Sequence, residues 1–499
     1  MKTFFGRVII CSLLLIPICT LGQRPNVLVI YVDDLGFGDL GCYGSKTIKT
    51  PNIDQLAKNG LLFTQAHTTS ATCTPSRYSL LKGEYAFRRK DTGVATGDAS
   101  ALIPGGQQTV ATIFSKAGYN TAVVGKWHLG LGPLGGPNWN GKIADGPLDI
   151  GFKEAFIMPA TGDRVPCVYI ENDHVRNLAI QDPIQVNYLK KIGNQPSGKE
   201  NPELLKMKHS HGHDNTIVNG VGRIGFMVGG QQALWNDEDM AQTFADKAKS
   251  FMVRNQKNPF FLYFATHDIH VPRIPHSRFL GKSGFGNRGD ALLQLDDSVG
   301  QLMKTLDSLH LTSNTMVILT SDNGPVVDDG YIDGSKENLG LHQPAGNLRG
   351  GKYSSFEAGT RVPFIVRWPK KVPVGKSNAL VSQIDFLATM SQLLGTTFNE
   401  ISAKDSRANL STWLGKNKTG REYIVEQAGS LAIKKGDWKF IRSGKGAKFN
   451  PLVNIELGND LEDQLYHLKT DPDEKMNLAS QQKEKLHELK SLLELEMNK

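Results

Sequence analysis

Arg24-Pro25-Asn26-Val27-Leu28-Val29-Ile30-Tyr31-Val32-Asp33-Asp34 is the stretch on which the fold turns. From Val27 to Val32 every side chain is apolar or aromatic. An alternating run would suit a strand with one wet face. A continuous run predicts a strand covered on both faces, as in a largely parallel sheet. The run stops at two adjacent carboxylates and enters a loop with Gly36, Gly38, Gly41 and Gly44. Open α/β sheets bind ligands at the carboxyl ends of their strands. Asp33 and Asp34 therefore stand where a site is expected, although Asp and Gly also punctuate ordinary turns.

The same texture recurs downstream. Tyr119–Val124 reads as a strand delivering Gly125-Lys126-Trp127-His128, and on extended chain Lys126 and His128 would point the same way. Pro259–Ala265 is a strand ending in Thr266-His267-Asp268-Ile269-His270. Thr315–Leu319 is another, ending in Thr320-Ser321-Asp322-Asn323, whose last two residues offer hard oxygen ligands suited to calcium or magnesium. Helices are predicted from Thr50-Pro51 to Gly60, with Pro and Gly at the expected ends, and over Gln108–Lys116, Asp237–Asn255 and Leu292–Leu309. Lys352 precedes a further strand, Phe364–Trp368. Strands alternating with helices predict an α/β fold with a large, mostly parallel central sheet flanked by helices.

Residues 131–235 are rich in Gly, Asn, Asp and Pro and lack a clear period. They hold Arg164 and the run His209-Ser210-His211-Gly212-His213. No cysteine or second histidine cluster supports a zinc spacing. Arg164, His211 and His213 thus stay open between substrate contact and surface loop. Past Pro369 the texture changes. Leu380–Leu394 reads as a strand leading into a helix around Asp385. Short alternating segments at Arg421–Glu426, Leu431–Ile433 and Trp438–Arg442 precede a closing helix that carries Leu486, Leu489 and Leu493. A smaller C-terminal α+β subdomain is expected over 425–499, behind a catalytic domain of 23–424.

Composition sets limits. The 499 residues are 39% hydrophobic and 21% charged, as in soluble globular proteins. Net charge is +8, without a Lys/Arg run that would argue for nucleic acid, though a cationic balance suits a polyanionic substrate. Residues 1–22 read as a signal peptide: Lys2 and Arg7, a short apolar stretch from Val8, and small residues at Thr20 and Gly22. No stretch predicts a membrane span, so an exported protein, periplasmic or secreted, is expected. Cys42, Cys73 and Cys167 remain after the leader. If Cys73 is otherwise used, Cys42 and Cys167 could pair, which sequence alone does not decide.

Cys73-Thr74-Pro75-Ser76-Arg77, with Gly83 ten residues after the cysteine, and Gly118-Tyr119-Asn120-Thr121-Ala122-Val123-Val124-Gly125-Lys126-Trp127-His128-Leu129-Gly130 resemble the two signatures of the formylglycine-dependent sulfatases of the alkaline-phosphatase superfamily. The tail from Gln464 to Ala479 resembles their C-terminal pattern, and the whole is similar to exported bacterial carbohydrate sulfatases. The resemblance implies that Cys73 is oxidised to formylglycine (3-oxoalanine) by a separate maturation enzyme. It implies one Ca2+ held by Asp33, Asp34, Asp322, Asn323 and residue 73. Arg77 would hold the aldehyde hydrate and metal region, and His128 would take the proton as sulfate leaves. Lys126, His270 and Lys352 would bind sulfate, with His270 or Lys352 protonating the leaving oxygen. The substrate implied is a sulfate monoester of a glycosaminoglycan or mucin-type sugar, first a 6-sulfated N-acetylgalactosamine or galactose. Two other readings stay open: a formylglycine-dependent phosphonate or phosphodiester hydrolase, and an inactive sugar-binding homologue.

Overall fold

A computed structural model of the chain describes residues 24–499; the expected leader at 1–22 lies outside the described residues. A ten-stranded mixed sheet forms the centre. In chain order its strands are β1 (Asn26–Val32), β2 (Leu61–His67), β3 (Asn120–Lys126), β4 (Glu154–Met158), β5 (Ile170–Glu171), β6 (His174–Val175), β7 (Phe260–Ala265), β8 (Thr315–Ser321), β9 (Phe364–Arg367) and β10 (Gly375–Ser382). Across the sheet the order is β10-β2-β9-β8-β1-β7-β3-β4-β5-β6. The run β8-β1-β7-β3-β4 is wholly parallel. β9 is antiparallel to both β8 and β2, so β2 points the same way as β8.

β1 explains why its sequence is continuously apolar. Val27, Val29 and Tyr31 join one core, while Leu28, Ile30 and Val32 join the other. Helices α1 (Pro51–Lys58), α4 (Met240–Arg254) and α5 (Gly286–Ser308) cover the second face. Helices α2 (Cys73–Lys82), α3 (Val110–Lys116) and α6 (Phe386–Leu394) cover the first. Helix α5 begins six residues before the predicted Leu292 because Arg288, facing the interior, bonds both oxygens of buried Asp39 at 2.6 and 2.7 Å. A charged residue at a core position hid that turn from the hydrophobic period.

The C-terminal region opens at Tyr423. Strands β11 (Tyr423–Gln427), β12 (Leu431–Lys435), β13 (Trp438–Ile441) and β14 (Gln464–His467) make an antiparallel sheet. Helix α7 (Lys483–Met497) packs Leu489 and Leu493 against Ile433, Phe440 and Leu465. Cys42, Cys73 and Cys167 are all free thiols, so the Cys42–Cys167 pairing left open by sequence does not form. Cys167 is instead enclosed among apolar side chains, and Cys42 packs at the edge of that same core.

Candidate active site

Neighbouring parallel strands bring their carboxyl ends side by side. β8 ends in Asp322 and Asn323, β1 in Asp33 and Asp34, β7 in His267 and His270, and β3 in Lys126 and His128. β2, running the same way, hands the chain through residues 68–72 to Cys73, the first residue of α2. Every residue of α2 is buried, and its N-cap Thr72 supplies no side-chain bond to the first amides. The positive end of a buried helix thus falls at residue 73.

Asp33, Asp34 and Asp322 each place a carboxylate oxygen within 4.8 Å of the others. Burial first, and then the like charge of Asp322, push Asp33 and Asp34 above the ordinary carboxylate range, against Lys126 for the first and Lys352 for the second. Asp33 Oδ1 and Asn323 Oδ1 are buried without a hydrogen-bond partner. Asn323 spends its Nδ2 on Asp34 Oδ1 at 2.7 Å, which leaves its carbonyl oxygen free. Unpaired buried acceptors are costly. Three crowded carboxylates, one with an unpaired oxygen, and the free Asn323 carbonyl form an all-oxygen donor set that fits a hard divalent cation.

Cations enclose this cluster. Arg77 Nε and Nη2 donate to Asp322 Oδ2 at 3.0 and 2.7 Å. Lys126 Nζ donates to Asp33 Oδ2 at 2.6 Å. Lys352 Nζ donates to Asp34 Oδ2 at 3.0 Å and to Asp329 Oδ2 at 2.8 Å. Burial, together with Asp322 and Asp33, holds the Cys73 thiol above its usual range despite Lys126 and Lys352. The encoded thiol is therefore a poor source of thiolate.

His128 departs from the expected extended chain: its φ of 56° is left-handed, although both it and Lys126 remain fully buried. The turn carries its Nε2 to the carbonyl of Ala95 at 2.9 Å. The Ala95 amide is held in turn by Thr74 Oγ1, next to Cys73. With Nε2–H donated there, Nδ1 is a buried lone pair without a partner. Burial, with Lys126 and Arg164 nearby, holds this imidazole well below its usual range. His270 has the opposite arrangement: Nδ1–H donates to Val271 O at 2.6 Å, and Nε2 lies 3.9 Å from Asp34 Oδ2. His267 also belongs here, grouped within 4.8 Å of Asp33 and His270.

The irregular region contributes more than its sequence suggested. Asp163 accepts from Arg164 Nη1 at 3.0 Å and lies 3.0 Å from His213 Nε2. His213 packs at a tilt against Tyr331, two residues past Asp329, with ring centroids 4.6 Å apart. Arg164 and His213 are thus brought beside the site, whereas His211 offers a backbone carbonyl to His213 and stays at the rim. Sequence reading missed Asp329 and Tyr353. The signal for Asp329 was present in Val326-Val327-Asp328-Asp329, a second apolar run closed by paired carboxylates.

The sulfatase family profile matches residues 25–396. An N-acetylgalactosamine-6-O-sulfatase of Bacteroides thetaiotaomicron is 54% identical over 474 residues, 95% of this chain and 93% of that protein. Human arylsulfatase A is 31% identical over 475 residues, 91% and 83% of the two chains. A solved structure, from the metabolism of multiple glycosaminoglycans by Bacteroides thetaiotaomicron, superposes with a TM-score of 0.95 at 54% identity, covering 96% of this chain and all of that one. With the matched region spanning every strand end described above, the chain belongs to the sulfatase family of sulfuric ester hydrolases.

Proposed function

We propose that this enzyme removes sulfate from 6-sulfated N-acetylgalactosamine or galactose in glycosaminoglycan or mucin-type chains, after export to the periplasm or medium. The observation that carries the reading is a cysteine at a buried helix start, facing three crowded carboxylates and two buried lysines, in a chain this similar to an N-acetylgalactosamine-6-O-sulfatase. A separate maturation enzyme would oxidise Cys73 to formylglycine. Asp33, Asp34, Asp322, Asn323 and residue 73 would hold one Ca2+. Such an ion supplies a positive centre for sulfuryl oxygens and lowers the pKa of a hydroxyl held against it.

Converted and hydrated, residue 73 would carry one hydroxyl that attacks sulfur as the sulfur–oxygen bond to the sugar breaks and the sugar leaves as its alcohol. The deprotonation of a second hydroxyl would re-form the carbonyl as the carbon–oxygen bond to the sulfate breaks and sulfate departs. The chain's own residues orient and move protons around it. Arg77 holds Asp322 by two N–H bonds, fixing which carboxylate oxygen faces inward. Lys126 and Lys352 complement the sulfuryl oxygens. His128 takes the proton in the release step, since its Nδ1 lone pair is unspent. His270, with Nδ1–H kept on Val271 O, would have to be protonated at Nε2 as the anionic substrate binds, against the burial that disfavours its charge. It would then give that Nε2 proton to the leaving sugar oxygen, because Lys352 already donates to two carboxylates. Arg164 and His213 line the sugar's approach.

The test is sulfate release from a panel of defined sulfated mono- and disaccharides, with Cys73→Ala as blank and the mass of the residue-73 peptide recorded. Release from the 6-sulfated galacto sugars by converted enzyme is expected. Preference for another sulfate position would sink the substrate assignment, and an intact thiol in active enzyme would sink the chemistry.

A further inference from the structure

Lys352 Nζ is bracketed by two carboxylates of different standing. Asp34 belongs to the crowded oxygen cluster. Asp329 lies outside the group formed by Asp33, Asp34 and Asp322 but at its edge, with an oxygen within 4.8 Å of both Asp34 and His270. Its hydrogen bonds go to its other neighbours: Oδ2 accepts from Lys352 at 2.8 Å, and the Tyr353 hydroxyl lies 3.1 and 3.2 Å from its two oxygens.

The backbone is shaped to make this arrangement. Tyr353 is left-handed, with φ 74°, a conformation unfavourable for a bulky residue. It lets consecutive side chains, Lys352 and Tyr353, converge on one carboxylate. The two residues are pinned on both sides. Lys352 N donates to Pro325 O at 2.9 Å, two residues beyond Asn323. Tyr353 N donates to Ala71 O at 2.8 Å, two residues before Cys73. Strain of this kind persists only where surroundings over-determine it, and it gathers at functional sites. On the other side, a Cβ on Gly330 would sit 2.0 Å from the His213 ring, so glycine is required for Asp329 and His213 to share this wall.

A carboxylate beside an anion-binding lysine has an electrostatic cost: it opposes the sulfate that the lysine attracts. Its advantage is geometric. A lysine on four rotatable carbons otherwise follows the nearest negative charge, and catalysis gains only from contacts stronger in the transition state than in the ground state. We propose that Asp329, braced by Tyr353, is a positioning residue that holds the Lys352 ammonium for the transferring sulfuryl group instead of letting it close on bound sulfate. The inference rests on the sulfatase reading above and adds a residue that the signature motifs do not contain.

The experiment compares parent, Asp329→Asn and Tyr353→Phe enzymes, each converted at residue 73, on a 6-sulfated sugar, with inhibition by inorganic sulfate measured in parallel. For Asp329→Asn, kcat should fall about tenfold or more, the scale of lost orienting contacts elsewhere. KM should stay level or fall, and inorganic sulfate should inhibit no less well. Tyr353→Phe should move kcat in the same direction by less, and it covers the case in which Asp329→Asn folds poorly. A raised KM at unchanged kcat would overturn the inference, assigning Asp329 to direct sugar contact. Parental kcat in both variants would overturn it as well. Parent enzyme inert on every sugar sulfate would instead remove the sulfatase reading, and this inference with it.

Discussion

Two clusters of buried charge lie in this molecule, and they solve the same problem differently. At the carboxyl edge of the large sheet, Asp33, Asp34 and Asp322 crowd together while Asp33 Oδ1 and Asn323 Oδ1 remain unpaired. Where the C-terminal sheet meets the main domain, Glu357, Glu426 and Glu474 are equally buried, but lysines occupy the space between them. Lys434 Nζ lies 2.8 Å from Glu357 Oε2. Lys439 Nζ lies 3.2 Å from Glu357 Oε1 and 3.1 Å from Glu426 Oε2. His67 bonds Glu426 at 2.8 Å, and the Glu357 amide donates to Glu474 Oε2 at 2.7 Å. His67, Glu357 and Glu426 also bring ligand atoms within 4.8 Å of one another, as close as the three aspartates do. The difference teaches what separates a ligand site from a structural one: the ammonium groups already stand where an ion would sit. Proximity of acids alone does not distinguish the two clusters, and neither do unpaired oxygens by themselves: Glu426 Oε2 and Glu474 Oε1 also lack hydrogen-bond partners, but one ammonium, Lys439, faces both at 3.1 and 3.8 Å.

The sharpest way to break the comparison is to remove one acid from the first cluster. Asp322→Ala takes away a carboxylate and the anchor of Arg77. Sulfate release should fall more than about 10³-fold, beyond the loss of a single stabilising donor. Near-parental turnover would show that the crowded oxygens are not the working centre. In the second cluster the expected loss is of stability. Lys439→Met leaves Glu357, Glu426 and Glu474 facing one another with Lys434 as the remaining buried lysine, and breaking such a network costs about 3–5 kcal/mol. Urea unfolding measures it. An unchanged midpoint would mean that the interface is not held by charge. A third comparison uses calcium itself: adding the ion at 100 times its dissociation constant should stabilise the parent by about 2.7 kcal/mol. The same addition should leave Asp322→Ala unmoved in thermal melts, and equal shifts would place binding elsewhere.

Which cluster was legible in the sequence follows from the same contrast. Asp33, Lys126, His267 and Asp322 close apolar runs and so stood out as polar groups at strand ends, whereas Arg77 and Lys352 close none and were reached through the sulfatase resemblance. The sheet order then made those ends neighbours, β8-β1-β7-β3. The second cluster assembles from positions far apart in sequence: His67 at the end of β2, Glu357 at the start of a one-turn helix before β9, Glu426 and Lys434 on β11 and β12, Lys439 on β13 and Glu474 in the tail. Glu426, Lys434 and Lys439 lie on the alternating strands of a small sheet, where a charged residue reads as solvent-facing. Their burial is set by the docking of one sheet on another region, which no local period reports. Asp329 was missed for a related reason. Its partners Lys352 and Tyr353 arrive 23 and 24 residues later, through a left-handed backbone turn at Tyr353.

The smallest expected effect separates the two clusters by pH. Burial, reinforced by Glu357 and Glu426 against Lys439, raises Glu474 to about 8. Its folded-state proton is therefore kept where the unfolded chain, near the ordinary 4.5, has shed it. A raised carboxyl gives stability that is full below the unfolded value and declines as pH climbs toward the folded one, by at most about 1.4 kcal/mol per pH unit. His67 in the same cluster works oppositely. Burial and Lys434 lower it from 6.5 to about 4, so its contribution grows with pH up to about 6.5 and is constant above. Glu426, lowered to about 2, acts only at the acid end. The window from about 6.5 to 8 thus separates Glu474 from His67 and Glu426, and a variant at Glu474 separates it from Lys434, which burial lowers. Glu474→Gln keeps an acceptor for the Glu357 amide but carries no proton to lose. The variant's unfolding free energy, subtracted from the parent's at each pH, should leave a slope between about 4.5 and 8, its upper part clear of His67. Parallel curves would mean that Glu474 is ionised in the folded protein, and that Lys439 neutralises all three glutamates at once.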